Sequence, residues 1–240
     1  MKNFDTYNIR ARIAPVFLVF LPLILVSYLS SVKLYTVQAL SGSTIFTIAL
    51  SILAAQFGRD RGKVKEKGLW DKWGGPPTTR FLRHSDTQYN PIRRNRCHNV
   101  LKSLLPDINL PTSEEESCNH DKADLIYDAC IRYLINRTRN KKEFPLIYSE
   151  NVNYGFLRNL WGLKPYGICI SIMSIIFSIL YVLKTYPNFL DINLESFSTI
   201  VILILYLGFW IFWVNPNKIK IAAEAYAARL LDYCEQIELK

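Results

Sequence analysis

The sequence predicts an all-α membrane protein in which four transmembrane helices form two hairpins, with a mainly helical cytoplasmic domain inserted between them. Three observations predict this class: two pairs of long uncharged apolar runs, 27 of the 29 Lys and Arg residues outside the runs and their short connectors, and no alternating strand pattern. Half of the residues are hydrophobic, yet the mean hydropathy is only +0.09, because a charged stretch separates the two hairpins.

Each of the four apolar runs is long enough to form a transmembrane helix. They cover residues 13–32 and 37–57 in the first hairpin and 166–183 and 196–214 in the second. At a rise of about 1.5 Å per residue, helices of this length cross a hydrocarbon core of about 30 Å. Backbone groups in lipid must bond one another, which a single helix achieves and an open strand does not. The first run lacks a small-residue cleavage site, so we expect it to be retained.

The runs divide the chain into four parts: a hairpin at 1–57, a basic cytoplasmic domain at 58–165, a hairpin at 166–214 and a cytoplasmic amphipathic helix at 215–240. We expect the last helix to pack on the middle domain or on a partner. Inside the middle domain, the pattern predicts these elements in order: a basic helix near 59–72, a Gly/Pro turn at 74–77, a helix from Pro91 to Leu105, an acidic loop at 111–119 and a helix over 121–140.

The cations nearest the membrane predict the orientation. Arg10 and Arg12 precede the first run, five Lys and Arg residues lie within 59–67, and the connectors hold only Lys33 and Lys184. The positive-inside rule therefore places both termini and the middle domain in the cytoplasm, with the protein multi-pass in the inner membrane. The five cysteines form neither an even framework nor a CxxC pair, so we expect no disulfides in this reducing compartment.

Arginines in the middle domain predict a phosphate site. Three of them fall in the first turns of the helix that Pro91 opens, where the helix dipole disfavours cations and an anion would remove the conflict. A second trio has the i, i+3, i+4 spacing of one helical face. The alternative is a solvated or ion-paired surface. The predicted phosphate-binding residues are Arg80, Arg83, His84, Arg93, Arg94 and Arg96.

The sequence contains no catalytic motif, and we assign no catalytic residue, cofactor or metal. Cys118 with His120 is at best half of a zinc site. The segment GRDRGK at 58–63 lacks the spacing and the final Ser or Thr of a P-loop. Residues 114–116 are three glutamates, which we interpret as a solvated loop.

Hydroxylated residues recur along two of the predicted spans. Such stripes are typical of close helix packing, which we favour, and the alternative is a neutral pore lined by hydroxyl groups from several subunits. The spans contain no charged residue or histidine, which argues against an ion-coupled transporter. The candidate pore-lining residues are Ser41, Thr44, Thr47 and Ser51 on the second span and Ser171, Ser174 and Ser178 on the third.

Four segments carry a family resemblance when they are taken together, at 58–84, 96–106, 144–165 and 225–237. In this order they resemble a widespread family of bacterial four-span membrane proteins that has no assigned function. The layout is also similar to membrane effectors of anti-phage defence systems. That similarity implies a cytoplasmic domain that senses a nucleotide or oligonucleotide, and spans that form a lethal channel. The resemblance draws attention to Arg80, Arg83, His84, Arg96, His98, Asn151, Tyr154, Arg158 and Asn159.

Residues 144–165 lead from the middle domain into the third span. We predict that they couple the two, and the alternative is a plain linker. Gly155, Gly162 and Pro165 would permit a bend in this segment, which suits coupling between a domain and a span. The predicted coupling residues are Asn151, Tyr154, Arg158, Asn159 and Trp161.

These patterns together predict a homo-oligomeric membrane effector that forms a pore or channel in antiviral defence. A phosphate-bearing ligand, either a nucleotide or a short nucleic acid, would gate it from the cytoplasmic domain. The alternative is a membrane-tethered scaffold or sensor that docks a protein partner, such as one encoded nearby. A membrane-bound hydrolase is the third alternative.

Overall fold

The structure is a computed structural model that describes residues 6–29, 37–188 and 192–238, with side chains described over 6–26, 52–188 and 192–236. All regular secondary structure in these ranges is helical, which confirms the all-α class. Short π-helical segments precede α1 and follow α8. The helices are α1 (Ala14–Leu29), α2 (Val37–Trp73), α3 (Pro77–Arg80), α4 (Pro91–Leu104), α5 (Ser113–Cys118), α6 (His120–Arg137), α7 (Pro145–Thr185), α8 (Leu194–Gly208) and α9 (Pro216–Glu238).

Three helical segments among the described residues are long and apolar enough to cross a membrane: Asn8–Val26, Pro145–Thr185 and Leu194–Trp213. They contain most of the first predicted run, the whole of the third and most of the fourth. They therefore indicate membrane association. The second predicted run, 37–57, forms the first part of α2, and most of its side chains lie outside the described residues.

The chain divides into two compact units. Unit 1 contains Met1–Glu66 and Gly155–Lys218, and unit 2 contains Lys67–Tyr154 and Ile219–Lys240. Unit 1 carries 12 Lys and Arg against 5 Asp and Glu, a formal charge of +7, whereas unit 2 carries 17 against 15, a charge of +2. Most of the net positive charge of the chain therefore belongs to the unit that holds the apolar segments, although unit 2 contains more Lys and Arg residues.

Close backbone approach packs α2 against α7 in unit 1. A Cβ atom on Gly162 would lie 2.5 Å from the backbone nitrogen of Gly62, and one on Gly58 would lie 2.9 Å from the side chain of Leu163. Small residues spaced four apart allow this contact, as in GxxxG pairs of membrane helices. The GRDRG segment therefore serves helix packing. Further along α7, the absence of a side chain at Gly167 leaves room for the indole of Trp210, which is fully buried.

The core of unit 2 lies between α4, α6 and α9. Tyr127, Leu134 and Leu230 are fully buried in it, and Leu101 is 1% exposed. The amphipathic α9 is part of this core, which confirms that the last helix packs on the middle domain. The expectation of no disulfide is wrong for Cys97 and Cys234, which are joined across α4 and α9 with their Cα atoms 5.1 Å apart.

Several element boundaries differ from the sequence-based ones. The basic helix near 59–72 is the end of α2 rather than a separate helix. The acidic loop at 111–119 contains α5, which begins with a capping box between Thr112 and Glu115. Gly155, Gly162 and Pro165, the residues that would permit a bend, all lie within the single helix α7. The helix predicted from Pro91 is confirmed, and the Asn90 side chain caps it by accepting bonds from two backbone N–H groups.

Candidate functional site

Two of the predicted phosphate residues bind the end of helix α2. Arg80 donates from Nη1 to the carbonyl oxygen of Trp73 at 3.1 Å, and Arg83 donates from Nη1 to that of Gly74 at 2.6 Å. The last carbonyl groups of a helix lack intrahelical donors and carry partial negative charge, so guanidinium groups stabilise them. Gly75 has a φ of +120°, and a Cβ atom there would lie 2.8 Å from Arg83 Nη2. Only glycine suits this turn.

Arg83 forms a two-pronged ion pair with Asp124 on α6. Its Nε lies 2.7 Å from one carboxylate oxygen, and its Nη2 lies 2.5 Å from the other. The hydrogen bond to Asp124 raises the guanidinium pKa above its ordinary value, although burial acts in the opposite direction. The Asp124 carboxylate therefore occupies the position in which a fork of this geometry would bind a phosphate group.

Arg80 is buried among three acceptors besides the helix end. Its Nη2 donates to Gln88 at 2.6 Å and to Glu224 of α9 at 2.7 Å, and its Nε lies 3.1 Å from Asp86. The side chain is only 10% exposed. This arginine holds α9 and the segment 86–88 to the end of α2.

Three arginines at the start of α4 have separate surroundings. Arg93 pairs with Asp232 and Glu235 on α9, and the bond to Glu235 raises the guanidinium pKa. Arg94 is buried and donates from Nη1 to the carbonyl oxygens of Arg83 at 2.9 Å and Asp86 at 2.7 Å. Its Nε has no hydrogen-bond partner among the described residues. Arg96 is exposed to solvent.

Glu116 is a buried carboxylate that sequence reasoning missed. It is 2% exposed and accepts hydrogen bonds from the backbone N–H groups of His84 and Ser85, from the Ser85 hydroxyl at 2.7 Å and from the Tyr127 hydroxyl at 2.8 Å. Burial favours the neutral acid, but these bonds outweigh it and lower the pKa of Glu116 to about 2. It is therefore not the solvated residue that the triple glutamate indicated. The capping pattern at Thr112 and Glu115 is the signal that predicts α5, on which Glu116 lies.

Histidines complete this polar region without forming a metal site. His98 donates from Nε2 to the carbonyl oxygen of Leu82, at 2.8 Å, and burial lowers its pKa to about 4, so it is neutral near pH 7. The ring of His84 meets it edge-on at a centroid distance of 4.9 Å. Nowhere in the described part of the chain do three or more His, Cys, Asp and Glu side chains form a group that suits a metal ion.

A polar cleft of about 190 Å³ lies at this arginine pair. Arg80 and Arg83 line it together with Ser85, Asp86, Thr87 and Gln88. The two guanidinium groups are balanced by Asp86, Asp124 and Glu224, so a dianion entering the cleft must compete with carboxylates. The structure brings Arg80, Arg83 and Arg94 together, whereas Arg93 pairs on α9. Chemically, the cleft offers guanidinium N–H donors in fixed positions, which can bind an anion by hydrogen bonds.

Four of the five predicted coupling residues take part in the tertiary contacts described here. Asn159 is buried in unit 1 and donates to the carbonyl oxygen of Ala11 at 2.7 Å, while Arg158 lies 3.4 Å from the buried Glu66. The backbone carbonyl of Trp161 accepts a bond from Lys65 at 3.2 Å. In unit 2, the ring of Tyr154 stacks on that of Tyr226, and Asn151 is half-buried.

The serines of the third span are buried inside unit 1. Ser171, Ser174 and Ser178 are each at most 2% exposed. Ser171 and Ser178 donate to carbonyl oxygens four residues earlier in α7. This is the packed arrangement that the sequence favoured over a pore lining. The remaining candidates, Ser41, Thr44, Thr47 and Ser51, lie outside the residues whose side chains are described.

Similarity to known proteins gives no further guide to the site. Comparisons of this chain with protein-family models, with curated proteins and with solved structures find no match.

Proposed function

We propose that this protein is a membrane effector of antiviral defence, which forms a pore or channel as a homo-oligomer and is gated by a phosphate-bearing ligand. In this proposal both apolar hairpins cross the inner membrane, giving four spans with both termini and unit 2 in the cytoplasm. The cations that flank the apolar segments support this orientation, since Arg10, Arg12 and five Lys and Arg residues within 59–67 lie on the proposed cytoplasmic side, whereas the connectors hold only Lys33 and Lys184. The antiviral role and the pore rest on the resemblance of the layout to anti-phage effectors.

One observation carries the gating proposal: both cleft arginines bind the end of α2. Arg80 and Arg83 hold the carbonyl groups of Trp73 and Gly74, and the same helix begins at Val37 with the second predicted span. A ligand that takes donors from these arginines therefore changes how the end of a predicted membrane helix is held.

Ligand binding at Arg83 requires that phosphate displace the carboxylate of Asp124. A phosphate group offers two oxygens that fit the same two-pronged geometry as a carboxylate, so it competes with Asp124 for Arg83. Three of the five N–H groups of Arg83 are used in the contacts described above. Binding of phosphate would release α6 from the arginine and leave Arg83 on the ligand.

Binding measurements on the full-length protein in detergent test this exchange. The probes are cyclic dinucleotides and cyclic trinucleotides, with inorganic phosphate as the minimal anion. Arg83→Gln should weaken binding at least about tenfold, because a charged hydrogen-bonded fork is lost. Asp124→Asn should strengthen it, because the competing carboxylate is gone. Arg132→Gln is the matched control, since Arg132 is exposed and pairs with Asp128 on the same helix. Equal affinity of the parent and Arg83→Gln would reject the site.

Cell physiology tests the effector role. Induced expression should depolarise cells in the presence of the activating ligand, measured with a potential-sensitive dye. If membrane potential and growth stay unchanged both with and without the neighbouring genes, the channel proposal fails.

A second candidate function, a membrane-tethered scaffold that docks a protein partner, is favoured by a different surface of unit 2. A cavity of about 790 Å³ lies between the segment 107–111 and helices α5 and α6. Ile108, Leu125 and Ile126 line it, and Leu125 is 74% exposed. Planar-bilayer recordings separate the two functions, because a scaffold gives no conductance with or without the nucleotide probes.

A further inference from the structure

We infer that unit 1 carries a binding site for one anionic phospholipid, in which Arg61, Lys65 and Lys164 hold the headgroup phosphate and an apolar groove between α1, α2 and α7 holds part of an acyl chain. This site is separate from the arginine cleft of unit 2. It rests on the packing of unit 1 and not on the proposed gating.

The groove has a volume of about 150 Å³ and is lined by apolar and aromatic side chains. Phe57 of α2 and Tyr166 of α7 meet edge-on at a centroid distance of 5.2 Å, and both rings stay more than a third exposed. A groove of this size and chemistry suits a segment of hydrocarbon chain rather than a solute. Its other lining residues include Val16, Val19, Ala54 and Leu163.

Arg61 adjoins the groove, and Lys65 and Lys164 lie near it around the Trp161 ring. The guanidinium of Arg61 lies 5.2 Å from the centre of the Phe57 ring, which is a wall of the groove. Lys65 and Lys164 approach the Trp161 ring, at 5.1 Å and 5.3 Å from its centre. Aromatic rings with cations beside them are typical of the level at which lipid headgroups lie.

The hydrogen bonds of Lys65 and Lys164 go to backbone carbonyl groups. Lys65 donates to the carbonyl oxygen of Trp161, and Lys164 donates to those of Ile211 at 2.8 Å and Val214 at 2.7 Å. Among the described residues, the contacts of these lysines and of Arg61 are with carbonyl groups and rings, not with carboxylates. The contrast is Arg158, which pairs with Glu66.

Burial and the neighbouring cations both disfavour the charged form of Lys65. Burial lowers the pKa of Lys65 from its ordinary value, and the neighbouring charges of Lys164 and Arg61 lower it further. A phosphate group would offset both costs by placing negative charge between the three cations. Because the cations lie beside an apolar groove, the phosphate of a lipid fits better than a free anion.

Native mass spectrometry of the full-length protein with phosphatidylglycerol and phosphatidylcholine tests the site. The parent should retain phosphatidylglycerol in preference to phosphatidylcholine. The double substitution Arg61→Gln with Lys65→Gln should reduce that preference about tenfold to thirtyfold, since each cation near the surface contributes about 1 kcal/mol. Lys63→Gln is the matched control, because Lys63 is exposed and lies two residues from both cations on another face of α2.

Ala54→Phe separates a lipid site from a plain anion site. It fills the groove without changing any charge, so it should also remove the preference while far-ultraviolet circular dichroism stays unchanged. Retention of the preference in either variant, or its loss in the Lys63→Gln control, would overturn the inference. So would displacement of phosphatidylglycerol by inorganic phosphate at an equal concentration, which would assign the cations to a free anion.

Discussion

At the scale of single residues, Glu116 fixes the segment that carries the cleft arginines. Its two carboxylate oxygens receive hydrogen bonds from His84, Ser85 and Tyr127 while the side chain stays out of water. A buried network of this kind stabilises the fold only while every member has its partner. Arg83 directly precedes His84 in the chain. The bonds that Glu116 accepts from His84 and Ser85 therefore also fix the backbone that carries this cleft arginine.

We predict that Glu116→Gln destabilises the protein by about 3 kcal/mol, because the amide offers one acceptor oxygen and turns an NH₂ group toward donors. Thermal unfolding of the full chain in detergent measures the change. Glu114→Gln, an exposed position on the same helix, should change stability by less than about 0.5 kcal/mol. Equal effects of the two substitutions would contradict a structural role for the buried carboxylate.

The same carboxylate should make stability depend on pH in a defined window. Its pKa is about 2 in the folded protein against an ordinary value of 4.5. The folded pKa is the lower one, so the stabilisation is complete above pH 4.5 and is lost as the pH falls toward 2. The folded pKa of His98, about 4, is also lower than its ordinary value of 6.5. His98 therefore adds a further loss of stability as the pH falls from 6.5 toward 4, in the parent and in Glu116→Gln alike. We expect the melting temperature of the parent to fall more steeply below pH 4.5 than that of Glu116→Gln, and parallel curves would contradict this.

At the scale of elements, sequence reasoning predicted helix starts better than helix partners. The start of α4 at Pro91 follows from local chemistry, since proline suits the first helical position and Asn90 caps it. The pairing of Arg83 with Asp124, 41 residues away, depends on how α6 packs, and no local pattern specifies that. For the same reason the sequence predicts a cluster of arginines but not the carboxylates that balance them.

Glycines in the long helices show a related limit. In sequence, Gly155 and Gly162 indicate a bend, because glycine weakens a helix. In the structure these positions lie where another segment approaches, and a side chain on Gly155 would meet Tyr7 and Ala11. The same residue type thus indicates flexibility or tight packing, and only the neighbouring element decides between them.

We predict that Gly162→Ala disrupts the packing of α2 against α7, because the new methyl group would lie 2.5 to 2.9 Å from backbone atoms of Arg61 and Gly62. Backbone cannot move aside as a side chain can, so we expect a loss of about 2 kcal/mol or more in unfolding free energy. Gly68→Ala is the control in α2, with nothing within 4 Å of the added atom. It should stabilise the protein by about 0.5 to 1 kcal/mol. Comparable destabilisation by both substitutions would show that the close contact is not what matters.

At the scale of the whole molecule, the net positive charge is concentrated in the unit that holds the apolar helices. Unit 1 has a formal charge of +7 and unit 2 has +2. The near neutrality of unit 2 fits the ion pairs of its arginines, so the phosphate ligand of the proposed function would have to be recognised by geometry more than by a strong field. The net charge on unit 1 instead fits contact with anionic lipid, whereas the proposed orientation rests on where the cations lie along the chain.

The native cysteines provide a direct test of that orientation. Cys118 in unit 2 is free and exposed, and Cys130 is buried. Cys169 is free and exposed, but it lies in the third predicted span, where lipid disfavours the thiolate that reacts with maleimides. A charged, membrane-impermeant maleimide should therefore label the protein at Cys118, and only after cells are permeabilised. Cys118→Ser should remove the label from permeabilised cells, which identifies the reacting thiol. Labelling of the parent in intact spheroplasts would place unit 2 outside the cytoplasm, and the gating proposal would then lose the compartment in which its nucleotide ligand is made.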